Sequence, residues 1–159
     1  MTKFAEAVYS VVIALWVGGL VAIAVAANVL FDGLADKALA GALAGQLFTL
    51  VAYAGMGFGT YLLLYLIFRR SWRAIKSGVF WIIVAMLILI LVGHFGIQPV
   101  IAQIKAEQRL AEAAVSALQK VDTALHTQFL MWHGISMTLY LLQTLMGLWL
   151  VIWQERGKR

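Results

Sequence analysis

Residues 7–31, 38–68, 77–104 and 123–154 contain no Asp, Glu, Lys or Arg. A helix crosses the hydrocarbon core of a bilayer in roughly 20 apolar residues. Inside that core every backbone N–H and C=O must be satisfied within the segment or in a closed barrel. Each run is long enough for a spanning helix, and none shows the strict alternation of a barrel strand. The helices are placed at about 8–31, 43–68, 78–99 and 127–153. The chain is therefore read as all-α and integral to a membrane, with four transmembrane helices in an up-down-up-down bundle forming one domain. The first run is too long for a secretory signal, and three further spans follow it.

Composition agrees. Charged residues make up 12% of the chain and hydrophobic residues 64%, whereas soluble domains carry roughly 25% charged residues. Too little polar surface remains to face water. The absence of Cys rules out disulfides, thiolate metal sites and a cysteine nucleophile. The net charge of +5 does not point to nucleic acid, because the basic residues adjoin apolar runs and read as topology signals.

Orientation follows from the Lys and Arg distribution. One side carries Lys3, Arg69, Arg70, Arg73, Lys76, Arg156, Lys158 and Arg159; the other carries Lys37, Lys105, Arg109 and Lys120. The richer side is cytoplasmic, so both termini are expected inside a bacterial inner membrane. The 100–126 connector is then extracytoplasmic. Its apolar residues Ile101, Ile104, Leu110, Val115, Leu118 and Val121 suit an amphipathic helix at or beyond the interface. Pro99 is expected to kink or end the third helix. Trp72, Trp81, Trp149 and Trp153 fall near the inner interface, where amphipathic rings anchor.

Counting about 1.5 Å per residue from the inner ends brings the unusual polar residues to a common depth. Asn28, Gln46, Gln98 and His126 reach the outer interface, and His94 and His133 lie slightly deeper. They come from all four spans, and polar side chains in spans usually face the bundle interior or a wet cavity. An outward-opening pocket lined by Asn28, Gln46, Gln98 and His126 is expected. His94 and Gln98 share a face at i,i+4. Met137, Tyr140 and Thr144 continue the stripe of His126 and His133, and Tyr53, Tyr140 and Gln143 could extend a polar track inward. The small residues Gly18, Ala22 and Ala26, with Gly41–Gly45 and Gly55–Gly59, permit close helix approach, chiefly within the bundle.

Two imidazoles at similar depth on neighbouring helices suit a metal ion or haem. His94 and His133 are the candidate cofactor and metal ligands, and Met137 beside them would favour a soft ion such as copper(I). Every carboxylate lies in a connector or near a terminus, which argues against a proton-relay pump or an acid-ring channel. No triad of hydrolase type is visible, since nothing orients His133 toward Ser136. No buried Lys or Arg is expected to hold an anionic substrate.

Several runs are similar to a known family. They are WVGG at 16–19, VLF at 29–31, AG at 40–41, GQLF at 45–48 and QPVI at 98–101. The most specific is the F-x-x-x-H-G-x-S pattern formed by Phe129, His133, Gly134 and Ser136. Over nearly its whole length the chain resembles the bacterial branch of the small four-helix membrane proteins related to transmembrane protein 205. Members often carry Pro just before the Val-Leu-Phe, where this chain has Asn28. The resemblance implies the four-helix fold and singles out His133.

The leading expectation is an inner-membrane protein, more a binder than an enzyme, that binds or handles a metal ion or haem, copper or haem foremost, at the outward pocket. The alternative is a non-catalytic scaffold or accessory subunit whose polar residues only hold helices together. Its partners would be the lipid bilayer and a homodimeric or other membrane protein partner. The orientation is directly testable. A Cys at Ser77 should be shielded from an impermeant thiol reagent added outside intact cells, and a Cys at Ser116 should react. The opposite labelling pattern overturns the topology.

Overall fold

The computed structural model describes residues 3–115 and 123–156. Helix α1 (Lys3–Gly33) is followed by α2 (Lys37–Arg70), a single 3-10 turn (Ser71–Arg73) and α3 (Gly78–Leu91). A π-helical turn (Val92–Ile97), α4 (Gln98–Val115) and α5 (Thr123–Arg156) complete the chain. Among the described residues there is no strand. Four helices are long and apolar enough to cross a bilayer: Lys3–Gly33, Lys37–Arg69, Gly78–Leu110 and Leu125–Trp153. These have the length and composition of a multi-pass membrane protein.

The helix ends extend beyond the apolar runs because polar residues there meet backbone groups. Asp36 caps α2, its Oδ1 accepting from the N–H of Ala38 at 2.9 Å and of Leu39 at 3.1 Å. The α2 helix therefore begins at Lys37, ahead of its apolar run. The Lys37 ammonium donates to the carbonyl of Leu34 at 3.1 Å and to that of Phe31. It thus satisfies orphan carbonyls where α1 ends. Two adjacent charged side chains close one helix and open the next.

The chain divides into two compact units, Met1–Ile90 with Gln143–Arg159, and Leu91–Leu142. In the first, Trp16 is 1% exposed and lies against two glycines of α2. A β-carbon on Gly55 would stand 2.8 Å from Trp16 Nε1 and 2.8 Å from Ile90 Cδ1; one on Gly59 would stand 2.6 Å from Leu87 Cδ2. Gly147 of α5 makes a similar approach, its β-carbon position lying 3.0 Å from Val17 and 3.3 Å from Met86. All four long helices thus meet within this unit, through positions that lack a side chain.

The stripe of Gly18, Ala22 and Ala26 does not take part. Gly18 and Ala22 are exposed, and nothing stands within 4 Å of a β-carbon built on Gly18. The buried face of α1 is Ile13, Trp16, Val17, Leu20 and Ala27. At about 100° per residue the small-residue stripe falls on the opposite side of the helix. Gly45 likewise has open space beside it. Gly55 and Gly59 do make the expected close approach.

Pro99 neither ends the third helix nor leaves it standing as ordinary α-helix. Helical backbone continues from Gly78 to Val115, with the π turn placed directly before the proline. The Gln98 N–H donates to the Gly93 carbonyl five residues back. A proline in a regular helix lacks an N–H and its ring strikes the carbonyl four residues earlier. One widened turn re-pairs the backbone there, a known role of π-bulges. Much of the expected connector is consequently helix, with Ile97, Ile101 and Ile104 buried along one stripe. Ser116, Leu118, Lys120 and Val121 lie outside the described residues.

Overpacking the glycine face should be felt and overpacking the outward stripe should not. Gly55→Val is expected to destabilise the purified protein by about 1–3 kcal/mol, because the added methyls meet a rigid indole. Ala22→Leu should stay within about 0.5 kcal/mol of the parent. Melting curves in detergent decide this, and a large loss for Ala22→Leu would place that stripe inside the packing.

Candidate functional site

The chemistry-bearing residues of the sequence fall into both units. In the first, Asn28 is exposed and its amide donates to the Ala24 carbonyl of its own helix at 2.8 Å. Gln46, Tyr53, Gly57 and Thr60 form an exposed line along α2. Gln143 alone among this unit's span amides is buried, at 6% exposure. The polar line on α2 is thus an outer face of the unit, and Asn28 answers its own donor locally.

In the second unit, His94 sits in the π turn, half-buried and edge-on to Phe95 at 4.9 Å. Gln98 follows and is also half-buried. The turn changes how these two relate. A π turn brings residues five apart into line, where a regular helix aligns residues three or four apart. His94 and Gln98 therefore do not stack as they would in α-helix. His126 and His133 are exposed on α5, and Met137 is 54% exposed.

The residues this unit does assemble are Phe129, His133 and Lys105. The Phe129 and His133 rings are stacked with centroids 5.5 Å apart and an interplanar angle of 13°. Their i,i+4 spacing on α5 is what lets the rings meet. The Lys105 ammonium of α4 lies 5.6 Å from the centroid of the same Phe129 ring, within reach of cation–π attraction. Lys105 is half-buried. The four-carbon stem is covered while the charge finds the ring face. Among the described residues Lys105 has no ion-pair partner.

The sequence pattern contained two of these three residues, Phe129 and His133, as its outer and central positions. Lys105 was read as one charge of an amphipathic connector over 100–126, following a third helix that Pro99 was expected to kink or end. Its spacing to Ile101 and Ile104 on a continuing helix was the signal that it borders a buried stripe. Among the described residues no group of three or more His, Cys, Asp or Glu is gathered. What the array offers is an accessible imidazole stacked on a phenylalanine, with a positive charge over the same phenylalanine ring.

Neither a curated protein nor a solved structure matches this chain. Residues 11–110 match a family described as Domain of unknown function (DUF4149). The matched segment holds Trp16, Gly55 and Gly59, the π turn and Pro99, and Lys105, while Phe129 and His133 lie beyond it. The chain is a member of the DUF4149 family.

Proposed function

We propose that this chain is a multi-pass protein of the bacterial inner membrane, up-down-up-down with both termini cytoplasmic, that binds a ligand through His133 on its extracytoplasmic side. The observation that carries the reading is the Phe129–His133 stack with Lys105 over the same ring. The finer likeness to the proteins related to transmembrane protein 205 belongs to the same reading. It is supported by the pattern that contains Phe129 and His133.

Haem fits this donor set better than a bare ion. Protein sites for zinc or copper usually draw on three or four side-chain ligands. An iron porphyrin brings four equatorial nitrogens and asks the protein for one or two axial ligands. His133, exposed and oriented by Phe129, would supply one imidazole, and His94 is the candidate for a second. Lys105 would answer the negative charge of a propionate, and Phe129 would hold the His133 ring in its orientation. Bound haem would supply iron redox or ligand chemistry; the protein's residues hold, orient and neutralise it. With Met137 four residues from His133, copper(I) is the ion to test beside it.

A second reading is favoured by a different observation. From residue 125 to residue 142 of α5 no side chain is fully buried. A scaffold or accessory subunit would use that stretch against a second copy or another membrane protein.

Titration of the purified protein with haem, copper(I) and zinc(II) separates these readings. Haem binding should give a Soret band that His133→Ala largely abolishes while the variant stays folded. His94→Ala should weaken it non-additively with His133→Ala if both imidazoles share one site. Lys105→Gln should weaken binding of haem more than that of a porphyrin lacking carboxylates. Failure of the parent to bind any of the three overturns the ligand reading and leaves the scaffold.

A further inference from the structure

We propose that the connection between α2 and α3 is a binding site for the headgroup of an anionic phospholipid. Residues 69–77 contain Arg69, Arg70, Arg73 and Lys76 and no acidic residue. Their roles divide. Arg69 is already committed: it pairs with Glu6 of α1 and donates to the Tyr65 hydroxyl at 2.8 Å. Arg73 and Lys76 are exposed and form no ion pair among the described residues. Two exposed cations three residues apart are left without an ion-pair partner among the described residues.

The backbone that presents them is fixed. Ser71 takes a positive φ of 50° where α2 ends, and its N–H returns to the Ile67 carbonyl. The N–H of Ala74 donates to Ser71 at 2.9 Å, that of Lys76 to Arg73 at 3.3 Å and that of Ser77 to Ala74 at 3.0 Å. Ala74 is wholly buried and pins the turn. Trp81 Nε1 donates to the Ile75 carbonyl at 2.8 Å, so an indole of α3 braces the loop from the next helix. A basic segment held this way loses little freedom when an anion arrives.

The surroundings choose a lipid over a soluble anion. Trp72 is 82% exposed, Trp81 58% and Ile75 40%, all beside Arg73 and Lys76. Tryptophan favours the headgroup level of a bilayer, where its ring has an apolar and a polar side. The segment joins two helices able to span the membrane, Lys37–Arg69 and Gly78–Leu110. With those helices inserted, the free cations stand at the phosphate level and the exposed rings beside the glycerol and upper acyl region. Attraction of this kind is worth about 1 kcal/mol per basic residue near an anionic surface. The site rests on membrane insertion and is independent of any ligand at His133.

The full chain, released from nanodiscs made with equal phosphatidylglycerol and phosphatidylcholine, should retain phosphatidylglycerol preferentially in native mass spectrometry. Arg73→Gln and Lys76→Gln should each lower that preference about fivefold, the Boltzmann factor of about 1 kcal/mol. Arg109→Gln, which removes a charge elsewhere, should leave it unchanged. Should the double variant fail to fold, the parent still decides: retention must fall as salt rises. Equal retention of the two lipids, full retention by a folded double variant, or indifference to salt overturns the site. Displacement of the lipid by millimolar inorganic phosphate would show a free-phosphate site and overturn it as well.

Discussion

The indole of Trp16 can lie where α1, α2 and α3 meet only because residues 55 and 59 have no side chain. A buried tryptophan removes some 150–250 Å² from its surroundings and dominates local packing. Glycine within a helix costs about 1 kcal/mol against alanine, and this core uses three such positions, Gly55, Gly59 and Gly147. The exchange also leaves Trp16 Nε1 buried with no hydrogen-bond partner among the described residues. An unmet donor costs about 1–3 kcal/mol. That the ring is nonetheless buried means close backbone approach and van der Waals contact outweigh both penalties. In lipid such contact is a main source of helix association, because apolar burial alone draws no two helices together.

The spans were legible because their requirement is local: length, and the absence of charge. Asp36 was present in the connector as a ready cap, yet α2 starts six residues before the expected position because capping and helix propensity act outside the apolar run. Small-residue spacing was less informative. Gly18–Ala22–Ala26 and Gly55–Gly59 look alike as patterns, and only the position of the large apolar residues on the same helix decides which face is inside. On α1 those residues are Ile13, Trp16, Val17 and Leu20, directly opposite the stripe. Reading the two sets together would have turned Gly18 outward from the sequence alone.

Pro99 shows where local rules stop. The lost N–H was expected to kink or end the helix there. A widened turn instead moves the pairing of Gln98 back to Gly93, and helix resumes with α4. The consequence reaches the candidate site. An extra residue in one turn rotates everything after it by about 100° relative to an unbroken helix, so face assignments carried across residues 92–97 from simple periodicity fail. His94 and Gln98 were paired by such an assignment. Lys105 was read on an amphipathic connector helix, where nothing in the local pattern announced the Phe129 ring of α5 beneath it.

The two units use polar residues differently, and this bears on where function can lie. In the unit of Met1–Ile90 and Gln143–Arg159, glycine contacts and the Trp16 core leave little polar chemistry inside beyond Gln143. In the unit of Leu91–Leu142, one accessible imidazole, His133, and one half-buried lysine, Lys105, meet at the ring of Phe129. The α5 helix passes through both: Gln143, Gly147 and Leu150 are buried, and no residue from 125 to 142 is. Segments that act on ligands or partners are drawn from the less tightly packed parts of a structure, because binding surfaces cannot also be spent on the core. His133 combines accessibility with an orientation set by Phe129, whereas His126 is accessible without a ring beside it. Stacking therefore distinguishes His133 from the other exposed imidazole on the same helix more sharply than depth in the membrane does.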